Sequence, residues 1–125
     1  MKRILPIFLS ILLLTGCGGN SADGYQQITQ EEAKEMMDTQ EVIILDVREQ
    51  DEYDSGHIPG AVLLPVGTID EETATEVIPD KDSTVLVYCH SGNRSKTASS
   101  ALAELGYTNI YEFGGISTWP YEIES

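Results

Sequence analysis

The apolar positions of this chain fall into short continuous runs separated by stretches of helical period. That order predicts buried strands alternating with amphipathic helices. Val42-Ile43-Ile44-Leu45, Ala61-Val62-Leu63-Leu64, Val85-Leu86-Val87-Tyr88 and residues 109–113 are the four strand candidates. They show little internal alternation, which is expected of strands covered on both faces, as in a parallel sheet. Between them, Thr29-Gln30-Glu31-Glu32 reads as a capping box opening a helix to about Asp38, with Ile28 placed to staple against Ala33. Residues 70–77 carry acids in the first turn and are followed by Pro79. Residues 96–105 set Ala98, Ala101, Leu102 and Leu105 on one helical stripe, with Gly106 as the stop. Gly114-Gly115-Ile116 then starts a final turn or short helix around Trp119. The expected fold class is α/β, a central, mostly parallel sheet flanked by helices. In such sheets a site forms beyond the carboxyl ends of the strands.

The first residues read as an address. Lys2 and Arg3 precede an apolar stretch, residues 4–14, that is too short to span a bilayer. Leu14-Thr15-Gly16-Cys17 resembles the bacterial lipobox, which implies cleavage before Cys17 and acylation of that cysteine. The expected organisation is a signal peptide over 1–16, a flexible lipid-proximal tether over 17–27 and one domain over 28–125. The expected location is the extracytoplasmic face of the cell membrane, facing the periplasm if the host has two membranes. The chain of 125 residues holds 21 acidic and 7 basic residues, a formal net charge of −14, and cleavage would remove two of the bases. So acidic a surface excludes nucleic acid and anionic headgroups as partners and leaves membrane contact to the lipid alone.

The chemistry concentrates in Cys89-His90-Ser91-Gly92-Asn93-Arg94-Ser95, which follows a strand candidate and leads into the helix candidate. Free N–H groups and the positive dipole end at a helix start stabilise negative charge, so this setting lowers a thiol pKa. Gly92 lets the loop turn its N–H groups inward, and Arg94 adds a permanent planar cation suited to an anion. With Cys17 lipidated, Cys89 has no disulfide partner in an oxidising compartment. The only histidines are His57 and His90, and neither sits in a ligand-spaced cluster, so no metal or other cofactor is expected.

Leu45-Asp46-Val47-Arg48-Glu49, Glu52-Tyr53, Gly56-His57-Ile58-Pro59-Gly60-Ala61, Tyr88-Cys89 through Ser95, and Gly114-Gly115-Ile116 with Trp119 together resemble a single-domain rhodanese. The resemblance implies a rhodanese-like fold and a sulfurtransferase. In that reading Cys89 takes a sulfane sulfur as a persulfide and passes it to a thiophilic acceptor such as cyanide or a thiol. It also implies that the loop from Cys89 to Arg94 cradles the persulfide, with Arg94 facing an anionic donor, and that Asp46 and Arg48 support the loop. Many thiosulfate-using members carry an arginine directly after the cysteine; His90 stands there in this chain, which weakens the expectation for dianionic thiosulfate. The expected partners are a small sulfur donor, its acceptor and a thiol oxidoreductase, with the protein a monomer. Two rivals remain open. One is a cysteine-dependent phosphatase or arsenate reductase, whose loops place five residues between cysteine and arginine where this chain has four. The other is a non-enzymatic binding or persulfide-carrier module.

Overall fold

The computed structural model describes residues 24–125, so the expected signal peptide, Cys17 and most of the expected tether lie outside the described residues. Five strands, β1 (Gln26–Gln27), β2 (Ile43–Asp46), β3 (Val62–Leu63), β4 (Thr84–Cys89) and β5 (Asn109–Gly115), form one sheet in the order β1-β5-β4-β2-β3. Every neighbouring pair is parallel. Four helices connect them: α1 (Gln30–Thr39), α2 (Gln50–Ser55), α3 (Glu71–Val77) and α4 (Asn93–Glu104).

Central β4 shows why the apolar runs are continuous. Val85, Val87 and Cys89 join the cluster formed with Ala74 of α3 and Ala98 and Leu102 of α4. Leu86 and Tyr88 point the other way, into a cluster with Ala33 of α1, Phe113 and Trp119. Both faces are dry, so both sets of alternating positions are apolar, each fully buried side chain contributing about 1.5–3 kcal/mol. Local signals fix the helix starts. The Thr29 hydroxyl accepts from the Glu32 N–H at 3.0 Å while the Glu32 carboxylate accepts from the Thr29 N–H at 2.9 Å. Asp70 caps α3 in the same reciprocal way with Thr73.

Three features differ from the sequence-based expectation. The tether ends before residue 27, because Tyr25 is buried and Gln26–Gln27 pairs with Tyr111 and Glu112 as the edge strand β1. Two polar residues carry no period, so the pattern could not announce that strand. Helix α2 was not expected either; it buries none of its residues and so has no apolar stripe, and its start is fixed instead by Glu49 and Glu52 capping each other. Finally, α4 begins at Asn93, three residues before the helix start predicted, which moves Arg94 and Ser95 from the loop into its first turn.

The last feature that positions the site is a register shift between β4 and β5. Val87 pairs with Glu112 but Cys89 pairs with Gly115, so two steps on β4 face three on β5. Gly115 thereby lies against the backbone that follows Cys89, and a Cβ there would overlap the His90 carbonyl. That carbonyl accepts from the Ser117 N–H at 3.1 Å, which holds the loop where it is.

Candidate active site

Cys89 is the last residue of β4, and its thiol is the only free one among the described residues. Gly92, at a φ of 106°, adopts the left-handed conformation that turns the chain into α4 and aims its own N–H at the Cys89 Sγ, 3.0 Å away. Burial pushes the Cys89 thiol up. The N–H groups of Ser95, Gly92 and Ser91 are aimed at the sulfur, and the thiol lies below its ordinary value in spite of its burial. The arrangement is a cradle of donors converging on one sulfur, chemically suited to holding a thiolate or another anionic sulfur.

The residues singled out in the sequence fall into three groups. His90, Ser91 and Asn93 have exposed side chains at the mouth of the loop. Arg94 does not project free into that mouth. Its two terminal nitrogens bind Glu52 of α2 at 2.8 and 2.9 Å, a bidentate pair that ties α2 to α4. The Arg94 hydrogen bonds hold the Glu52 carboxyl down at about 2. Ser95 is fully buried, with its Oγ 3.4 Å from the Cys89 sulfur and 2.5 Å from a carboxylate oxygen of Glu112.

Asp46 and Arg48 form a buried anchor next to the loop. The Asp46 carboxylate receives the Arg48 N–H and Nε at 3.0 and 2.9 Å, the Arg48 guanidinium again at 2.6 Å, and the Tyr88 hydroxyl at 2.6 Å. Arg48 also donates to the Gly56 carbonyl at 2.7 Å, and the Tyr88 oxygen accepts from the Ile58 N–H at 3.1 Å. Burial first, and then its bond to Asp46, drives the Tyr88 hydroxyl far up, so it remains a proton donor. This network fixes Tyr88, the residue before Cys89, to the end of β2 and to the turn around His57. His57 itself is a turn residue, its Nδ1 2.9 Å from the Tyr53 carbonyl and its ring stacked 3.8 Å from that of Tyr53.

Two residues here had no role in the sequence reading. Glu52 was noticed only as part of a motif, and its pairing with Arg94, across 42 positions, depends on how α2 and α4 meet. Glu112 is 2% exposed and is the charged residue of a strand otherwise apolar or small after Asn109 and Tyr111. A lone acid in a strand expected to be dry on both faces was the available signal.

Comparison with known proteins agrees with this geometry. Residues 29–121 match the rhodanese-like domain family. The chain is 36% identical over 96 residues to thiosulfate sulfurtransferase GlpE of Coxiella burnetii, covering 76% of this chain and 87% of that protein. It is 42% identical over 72 residues to thiosulfate sulfurtransferase PspE of Escherichia coli, covering 58% and 68%. Among solved structures, an E. coli rhodanese with anions superposes with a TM-score of 0.63 at 32% identity, covering 68% of this chain and 99% of that one. The parallel sheet, the strand-end cysteine and these relatives lead to one conclusion: the chain belongs to the rhodanese-like domain family and is a rhodanese-type sulfurtransferase.

Proposed function

We propose that the protein is an extracytoplasmic, lipid-anchored sulfurtransferase that carries sulfane sulfur on Cys89 and delivers it to a thiophilic acceptor. The observation that supports the chemistry most directly is the Gly92 N–H aimed at the Cys89 sulfur at the start of α4. The thiolate attacks the outer sulfur of the donor. A Cys89 S–S bond forms as the donor's own sulfur–sulfur bond breaks, and the donor remainder leaves with the electron pair; from thiosulfate that remainder is sulfite. The new terminal sulfur is anionic, and the loop N–H groups are placed to hold it. A cyanide or thiolate acceptor then attacks that terminal sulfur and returns Cys89 as thiolate.

In this reading Ser91, Gly92 and Ser95 supply backbone donors, and His90 and Asn93 border the entrance. Arg94, neutralised by Glu52, shapes the loop more than it supplies charge to a donor. Asp46 and Arg48 act as support. The lipobox-like Leu14-Thr15-Gly16-Cys17 is what supports anchoring; no helix among the described residues is long and apolar enough to cross a membrane. A thiol oxidoreductase that keeps Cys89 reduced is part of the proposal, because the compartment is oxidising.

Three measurements test it. Thiosulfate-to-cyanide transfer is followed alongside intact mass, which should gain one sulfur atom with donor alone; both signals should vanish in Cys89→Ser. A stable adduct without turnover would favour a persulfide carrier instead, and neither signal with several sulfane donors would reject the reading. Radiolabelled fatty acid should enter the native chain and not Cys17→Ser, and an unlabelled native chain would reject the anchor.

A further inference from the structure

The hydroxyl of Ser95 has one proton and three acceptors around it. The Glu112 carboxylate oxygen is 2.5 Å away, whereas the Cys89 sulfur and the Gly114 carbonyl are each at 3.4 Å. A short bond to a buried carboxylate is far stronger than a long one to sulfur. Glu112 in turn makes each of its contacts as an acceptor: from Ser95, from the Gly114 N–H at 2.9 Å and from the Gln27 side-chain amide at 3.0 Å. Among the described residues no Lys, Arg or His nitrogen pairs with it. Its strongest side-chain contact is therefore the Ser95 proton, and the geometry leaves Ser95 facing the sulfur with a lone pair.

We propose that Glu112 is a positioning residue for Cys89. By committing the Ser95 proton to its own carboxylate, it withholds that donor from the thiolate and leaves the sulfur stabilised by the loop N–H groups alone. The thiol form, donating S–H to the Ser95 oxygen, is favoured correspondingly, and the nucleophile is held less reactive than its loop would otherwise make it. The role rests on the reading of Cys89 as nucleophile, but the proton count does not. The other charged or titratable groups near the sulfur are already engaged or point away: Arg94 on α4 is paired with Glu52 of α2, Lys96 on α4 binds the Gly92 carbonyl at 3.2 Å, and His90 is exposed. From β1 comes only the neutral amide of Gln27.

The test is the pH profile of Cys89 alkylation by iodoacetamide in the full chain. It reads the thiol whether or not the protein turns over any sulfur donor. Glu112→Gln releases the Ser95 proton toward sulfur, so alkylation on the acidic side of the profile should quicken about ten- to a hundredfold, the worth of one hydrogen bond to a charged group. The same substitution made in Ser95→Ala should change nothing. Unchanged or slower alkylation in Glu112→Gln would overturn the proposal. So would equal acceleration without Ser95, which would mean plain charge repulsion. A failure of sulfur transfer with these alkylation results intact would instead count against the proposed function.

Discussion

Asp46 and Arg48 show how one residue can be costly to change without touching substrate. Asp46 is fully buried and receives donors from Arg48 and Tyr88. Asp46→Ala leaves the 4% exposed Arg48 without its counter-charge, and should lower unfolding free energy by about 3–5 kcal/mol in urea titration. Tyr88→Phe removes one donor to Asp46 and leaves the Ile58 N–H unpaired, and should cost about 1–3 kcal/mol by the same measurement. Ser99 is the opposite case. Its Oγ is buried and, among the described residues, is the one such side-chain atom with no hydrogen-bond partner. Ser99→Ala removes that desolvated hydroxyl and favours helix, and should raise stability by about 1 kcal/mol. The sequence displayed Asp46 and Arg48 inside a motif; it could not display the Tyr88 hydroxyl joining them, because a tyrosine in an apolar strand looks like packing until its partner is placed.

Elements were legible in proportion to how much apolar surface they bury. β2, β4, β5, α1, α3 and α4 all carried a run, a stripe or a cap that the chain states locally. β1 is held by a partner distant in sequence, and α2 has a glutamate cap but no apolar stripe behind it, so neither carried a pattern that announces an element. The first turn of α4 was hidden for a related reason. Asn93, Arg94 and Ser95 are polar because that turn serves the sulfur and the Glu52 pair, and the apolar stripe begins only beyond it. The register shift on β5 was equally silent, yet it brings Gly115 against the His90 carbonyl. Gly115→Ala should push the loop away from its seat, since the Ser117 N–H already pins that carbonyl from the other side. Sulfur transfer should fall about 100-fold from displacement of the donors around Cys89, measured with thiosulfate and cyanide. Retained activity would show that the loop relaxes without leaving the sulfur.

At the scale of the whole molecule the acidic charge and the few paired bases govern how stability responds to pH. The Arg94–Glu52 pair joins α2 to α4 next to the active loop, with side chains 35% and 31% exposed. Glu52 sits at about 2 in the folded chain against its ordinary 4.5, chiefly through the Arg94 hydrogen bonds. The folded pKa is depressed, so the unfolded chain binds the proton more readily between those values. The stabilisation is therefore fully present above about 4.5 and is lost as pH falls toward about 2. Solvent screening of a pair this exposed reduces it to about 1 kcal/mol. Melting curves of the native chain and Glu52→Gln should consequently differ near neutral pH and converge in strong acid. Protonation of the many other acids shifts both proteins alike and cancels from the difference. A gap that stays constant down to strong acid would show that the Glu52 charge does not carry the effect, since its contact with the Glu49 N–H, at 2.9 Å, also favours the ionised carboxylate and would titrate with it. Arg94→Gln separates the two contacts further: it leaves that cap intact, so a pH-dependent gap in this variant as well would place the linkage on the pair that fastens the active loop to α2.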